Sequence, residues 1–260
     1  MANETYQVFA LRYATVQRSS SENFLGGDPH ETSTRMDYYV WLLRSPTRTL
    51  LVDTGFNENA ARERKREFLR CPIESLSVLG ISPHEIDEVI LTHLHYDHAG
   101  NHDLLPNARF YLQERELHYA VGPSMRHAVL RHPYAVDDIV DVVRALYEER
   151  IVCLNGRTEL APGVIVHQVG GHTAGLQIVQ VWTRKGWLVL SSDASHYYAN
   201  YEQARPFPIV HNVAEMLDAY DTMRGLAASP DLVIPGHDPL VMERFRAPFA
   251  AAQDIVVQLA

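Results

Sequence analysis

The chain has 260 residues, 46% of them hydrophobic and 21% charged, with 32 acidic against 23 basic side chains and a formal net charge of −9. That composition suits a globular chain long enough to bury a large core, and it excludes a disordered or fibrous one. The acidic balance disfavours nucleic acid as a partner, and no stretch reaches the roughly 18 apolar residues of a membrane span.

The start, Met-Ala-Asn-Glu-Thr-Tyr-Gln, lacks the basic and apolar parts of a signal peptide, so the expectation is a cytoplasmic protein with no membrane partner. β-Branched and aromatic residues dominate from Tyr6 to Val16 and from Tyr38 to Val52, with Ser45-Pro46-Thr47-Arg48 as a hairpin break. Between these strands the polar run from Ser19 to Thr34, with Gly26, Gly27 and Pro29, reads as a long loop of the kind that lines binding sites. Asn57 to Arg70 reads as a charged helix, its Arg62, Arg64, Lys65 and Arg66 forming a solvated face with Glu63 and Glu67.

Ser82-Pro83-His84-Glu85 has the spacing of a capping box, and a strand follows at Glu88 to Leu91. Arg109 to Leu112 is a further strand. Ser124 to Arg150 is mostly helical with a break near Pro133, and reads as either a lid or the surface of a homodimer. Val164 to Val169, Leu176 to Thr183 and Trp187 to Ser191 are strands, with Lys185-Gly186 as a turn. Asn212 caps a helix with Glu215 as capping partner and Val213, Met216, Leu217, Tyr220 and Met223 at core spacing. Leu232 to Ile234 is a last short strand, and Ile255 to Leu259 closes a sheet. The length fits a single domain over residues 1–260. Cys71 and Cys153 are too few for a disulfide framework and read as free thiols.

The strand at Glu88 runs into Thr92-His93-Leu94-His95-Tyr96-Asp97-His98. Three imidazoles and a carboxylate within six residues are poor core material, because buried polar groups need partners that apolar packing does not supply. A metal satisfies them together. In an extended segment His93 and His95 share a side, and a following turn brings Asp97 and His98 to an adjacent position. Four donors exceed the three that one open catalytic zinc takes from protein, which points to two metals. His172 in Gly-Gly-His-Thr, Asp193 in Ser-Asp-Ala and His237 in Pro-Gly-His each follow a strand or a glycine turn and complete a seven-donor set. The glycines of those turns, Gly170-Gly171 and Gly236, bring backbone close to the metals. A set of His and Asp without Cys leaves a solvent position open, unlike a closed structural zinc site.

The motif His-x-His-x-Asp-His with trailing His, Asp and His resembles that of the metallo-β-lactamase superfamily, from Val52-Asp53-Thr54-Gly55 through His237. The resemblance implies an α/β chain folded as an αβ/βα four-layer sandwich. It implies His93, His95 and His172 on one metal, Asp97, His98 and His237 on the other, Asp193 bridging, and a hydroxide between two divalent ions, taken as zinc. That hydroxide is the nucleophile, Asp97 orients it and moves a proton, and Asp53 fixes the tautomer of a ligand imidazole. Asp193 in place of Cys or Ser argues against an antibiotic-resistance β-lactamase, and His95 where flavodiiron reductases carry Glu argues against redox iron chemistry.

Within the superfamily the chain looks most like the N-acyl-homoserine lactonase branch, through Leu-Thr-His-Leu-His-Tyr-Asp-His-Ala-Gly-Asn and Ser-Asp-Ala-Ser. The implied reaction is hydrolytic opening of a small-molecule lactone, a quorum-quenching activity when the lactone is an acyl-homoserine. Hydrolysis of another small ester, amide or ether is the second reading, and a metal-stabilised binding protein the third. One position departs from the branch. Many members carry Tyr three residues after the bridging Asp to hydrogen-bond the substrate carbonyl, and here that residue is His196. Either His196 or Tyr197 takes that catalytic place. Tyr197, Tyr198, Tyr201 and Phe207 are pocket-wall candidates. The remaining histidines read as surface or hydrogen-bonded residues, and His102 as a loop residue just after the motif.

Overall fold

A computed structural model describes residues 3–28, 30 and 34–260. Pro29 and residues 31–33 of the loop before Thr34 lie outside the described residues. The chain opens with strands β1 (Gln7–Arg18), β2 (Thr34–Arg44) and β3 (Thr49–Val52), joined antiparallel. The Ser45–Arg48 turn closes through the Ser45 amide on the Arg48 carbonyl and the Arg48 amide on Ser45 Oγ. Helix α1 (Glu58–Glu63) and the two-residue strand β4 (Glu67–Phe68) follow, then β5 (Glu88–Ile90) and β6 (Arg109–Gln113). Helices α2 (Glu114–Ala120), α3 (Ala128–Arg131) and α4 (Val136–Tyr147) precede β7 (Ile151–Leu154).

A second sheet begins with β8 (Thr158–Ala161), β9 (Val164–Gln168), β10 (Gln177–Thr183) and β11 (Gly186–Ser192), all antiparallel. After α5 (Tyr198–Glu202) and α6 (Val213–Leu226), β12 (Val233–Pro235) pairs parallel to β11. Helix α7 (Leu240–Arg244) leads to β13 (Val256–Gln258), which pairs with β1 at the sheet edge. The first sheet runs β13-β1-β2-β3-β5-β6-β7 with β4 on β1, and the second runs β12-β11-β10-β9-β8.

Alternation along the strands sorts the core into two layers. Phe9, Leu11, Tyr38, Val40 and Leu42 belong to one cluster, which also takes in Leu117, Ile139 and Val142 of α2 and α4. Val8, Ala10, Tyr39, Trp41 and Leu43 belong to the other cluster, with Val164, Val166, Ile178, Leu188 and Leu190 and with Met216, Tyr220 and Met223 of α6. The result is the αβ/βα sandwich. Because β3 and β5 are parallel, and β9, β11 and β12 run the same way, the C-terminal ends of all five lie at one edge of each sheet.

Several local expectations change. The helix from Asn57 stops at Glu63, since Lys65 adopts φ +55° and Glu67–Phe68 pairs with Ala14 and Thr15. Arg64 and Arg66 are not a solvated face either. Arg64 lies 3.9 Å over the Tyr96 ring and donates to the carbonyls of His132 and Tyr134, while Arg66 donates to the Tyr96 hydroxyl. Tyr96 sits between His95 and Asp97, so these cations brace the motif. The Ser82 capping box forms, but over a single turn, Pro83–Glu85. Asn212 does cap α6, yet Glu215 is not its reciprocal partner: its carboxylate accepts from Arg115 and from the Gly171 amide. Val213 and Leu217 are exposed rather than core. Helix α2 and strands β7 and β8 go unmarked by the sequence pattern. Both cysteines are free. Among the described residues, no helix is long and apolar enough to cross a membrane.

Candidate metal centre

Strand β5 ends two residues before Thr92, and the chain turns at once, the His98 amide donating back to the His95 carbonyl. The turn is held from outside by the Tyr13 hydroxyl on the Asp97 carbonyl and by the Thr54 amide on the His98 carbonyl. His172 follows β9, Asp193 follows β11 and His237 follows β12. Gly171, at φ +87°, and Gly236 leave no space for a side chain: a Cβ would come 2.6 Å from Met216 backbone in one case and 2.7 Å from the Ser192 carbonyl in the other. Both glycines thus let neighbouring backbone close in behind a histidine.

All seven donors meet in one buried cluster. His93, His95, His172 and Asp193 form one group, and Asp97, His98 and His237 a second, with the ligand atoms of each within 4.8 Å of one another. Asp193 faces both. Its Oδ1 is 2.9 Å from His237 Nε2 and 3.2 Å from His98 Nε2, while Oδ2 is 3.1 Å from His172 Nε2 and 3.8 Å from His93 Nε2. His95 presents Nδ1, 2.9 Å from His172 Nε2. Asp97 Oδ2 stands 3.9 Å from both His98 and His237 Nε2.

The far nitrogens are fixed by acceptors. His98 Nδ1 donates to Asp53 Oδ2 at 2.7 Å, His172 Nδ1 to the Ile209 carbonyl at 2.7 Å, and His237 Nδ1 to the Asp37 carbonyl at 2.9 Å. Each bond places the proton away from the cluster and leaves the inward nitrogen with a lone pair. Asp53 also accepts from the Thr92 amide and hydroxyl, so it does hold a ligand's tautomer, as the sequence suggests.

A cation pair fits this donor set. Nε2 of His93 and of His98 are buried with no hydrogen-bond partner, a cost that a metal bond would remove. Burial, reinforced by adjacent imidazoles, pushes His93 and His95 well below the ordinary histidine range, which keeps them neutral. Burial alone would raise Asp193, but His196, His237, His98 and His172 hold its carboxyl well below the usual range. A buried anion ringed by imidazoles suits two divalent ions with room for water.

His196 and Tyr197 part company. His196 points inward, Nε2 3.0 Å from Asp193 Oδ2, with its ring stacked on Phe207 at 3.5 Å between centroids and 6° between planes. Tyr197 points away: its hydroxyl donates to the Arg35 carbonyl, and it lines a cavity of about 720 Å³ with Phe24, Tyr198 and Asp238. The physical reason is that Tyr197 is extended, so its side chain leaves the opposite side from its neighbour. His102 packs against Phe110 and joins none of the ligand groups. The loop that begins at Ser19 touches the segment after Tyr197, through the Leu25 amide on the Pro206 carbonyl and Asn200 Nδ2 on the Asn23 carbonyl. The carbonyls of Asp37 and Ile209 escaped the sequence reading, since main-chain acceptors carry no residue signature.

Comparison with known proteins adds three findings. Residues 34–237 match the family model of the metallo-beta-lactamase superfamily. The chain is 32% identical over 223 residues to the N-acyl homoserine lactonase AiiB of Agrobacterium fabrum, covering 76% of this chain and 78% of that protein, and 27% identical over 184 residues to an N-acyl homoserine lactonase of Bacillus cereus, covering 65% and 68%. Its fold matches that of a quorum-quenching N-acyl homoserine lactone lactonase with a TM-score of 0.77 at 22% identity, over 95% of this chain and 97% of that one. It also matches AidC, described as a dizinc quorum-quenching lactonase, with a TM-score of 0.71 at 16% identity, over 92% and 90%.

Proposed function

The chain belongs to the metallo-β-lactamase superfamily, and from that premise we propose that residues 1–260 work as one hydrolase domain that opens the ring of an N-acyl-homoserine lactone or related small lactone. The observation that carries this reading is Asp193, whose two oxygens face two separate groups of imidazoles. His93, His95 and His172 would hold one divalent ion and Asp97, His98 and His237 the other. Zinc is our assignment, which the all-His and carboxylate donor set supports. When bound, the pair supplies a hydroxide nucleophile at neutral pH and positive charge against the oxyanion.

The chain's own groups supply the rest. Asp97, the most exposed donor of the cluster, orients the nucleophile, takes its proton and delivers it to the leaving alkoxide, so that lactone and water become one hydroxy acid. His196 stands where other members of the branch carry Tyr, and its Nε2 is the polar edge it turns toward the cluster. We assign it the hydrogen bond to the substrate carbonyl, with Phe207 fixing the ring plane.

His196→Phe is therefore expected to keep both metals and lower kcat by about 10²–10³-fold, the usual loss for one oxyanion donor. Metal analysis beside kinetics checks this, because loss of metal would make His196 a ligand instead. The function itself is tested by acid release from a panel of acyl-homoserine lactones and simple γ- and δ-lactones. Ring opening is the expected result; an untouched panel with both metals bound would overturn it. The departure at His196 favours one second reading, hydrolysis of another small ester, which the same panel extended to linear esters separates.

A further inference from the structure

We propose that Glu116 is the positioning residue of the His93, His95 and His172 group, a single buried carboxylate that clamps together the two chain segments carrying those imidazoles; this rests on the dinuclear reading above. Glu116 lies in the first turn of α2, is fully buried, and takes part in none of the ion pairs among the described residues. Four donors surround it instead. Oε1 accepts from the Leu94 amide at 3.1 Å and the Tyr134 hydroxyl at 3.0 Å, and Oε2 accepts from the Thr173 hydroxyl at 2.6 Å and the Gly175 amide at 3.0 Å.

The position of those donors gives the clamp its meaning. Leu94 lies between His93 and His95, and Thr173 directly follows His172. Tyr134, held by the same carboxylate, sets its ring edge-on to His95 at 4.6 Å and 83°. The loop after His172 packs directly on the α2 backbone, since a Cβ on Gly175 would lie 2.1 Å from the Glu116 main-chain nitrogen. One oxygen therefore fixes the His-x-His segment and the other fixes the His172 loop, so the separation of the two is set by the width of a carboxylate. Burying such a group without a cation is tolerable only because all four donors converge on it. In the other group His98 and His237 lean instead on separate acceptors, the Asp53 carboxylate and the Asp37 carbonyl.

Glutamine tests the clamp with almost no change of shape. An amide has one acceptor oxygen, whereas Glu116 has a backbone N–H on each oxygen, and a backbone N–H can only donate. Whichever way the amide turns, it faces one N–H with another. For Glu116→Gln, calorimetric titration with zinc, alongside near-UV circular dichroism, is expected to give one site of near wild-type affinity and one weakened about 10–100-fold, the scale found when an outer partner of a metal ligand is lost. A purely structural residue would lower the melting temperature without separating the two sites. Two wild-type sites, or equal weakening of both, would overturn the inference. Should Glu116→Gln fail to fold, Thr173→Val removes one donor only, and selective weakening of one site again supports the clamp while two unchanged sites overturn it. Wild-type protein that takes up no zinc would instead sink the dinuclear reading, and the clamp with it.

Discussion

Asp193→Asn is expected to leave a folded protein that retains less than one tightly held metal per chain and loses lactone hydrolysis by on the order of 10³-fold or more. Among the described residues the carboxylate is the one anion that both imidazole groups share, with His98 and His237 beside one oxygen and His172 and His93 beside the other. An amide keeps the volume but offers one oxygen and no charge, so it can serve one group at most. Two cations would then face each other without the anion between them. Several kcal/mol of transition-state charge stabilisation depend on that pair, and each 1.4 kcal/mol is a factor of ten in rate. Metal analysis and single-substrate kinetics on the same preparation read both consequences. Turnover within tenfold of wild type, with two metals retained, would contradict the bridging role.

Asp53→Asn is expected to act through a proton that no substrate touches. Asp53 Oδ1 accepts from the Thr92 amide, which can only donate, so an amide oxygen must take that place. The new NH₂ then occupies the Oδ2 position, 2.7 Å from His98 Nδ1, and donates to it. His98 must move its own proton to Nε2, the nitrogen that faces Asp193, and a protonated nitrogen cannot bind a metal. Loss of one metal and a fall in activity of about 10–100-fold follow, with the fold kept. Asp53→Ala differs, because it leaves His98 buried without its partner; removing one member of such a pair costs about 3–5 kcal/mol, read as a lower melting temperature. An Asn variant with wild-type metal content would show that Asp53 is structural alone.

The seven donors were legible in the sequence for a physical reason. Each stands where an apolar strand stops, and parallel strands stop at a common edge, so one-dimensional punctuation maps onto one place in space. The long strands were legible because each buries both faces, as β2 does with Tyr38 and Val40 on one side and Tyr39 and Trp41 on the other. What escaped depends on partners remote in the chain. Arg64 and Arg66 look like surface charge until Tyr96 is brought beneath them. Glu215 looks like a capping residue until Arg115 and Gly171 claim its carboxylate. Adjacent His196 and Tyr197 leave an extended chain on opposite sides, and only the register of the surrounding loops decides which one faces the centre. Glu116 was invisible for the same reason: its four donors come from Leu94, Tyr134, Thr173 and Gly175, scattered along the chain.

The most direct test of a dinuclear hydrolytic centre is to strip the purified protein of metal with a chelator and then follow lactone ring opening as zinc is added back in measured equivalents. A dinuclear centre gives no hydrolysis in the stripped protein and a rate that rises until two equivalents per chain are bound, then levels. Full activity in the stripped protein, or a plateau at one equivalent with no further uptake, would contradict it.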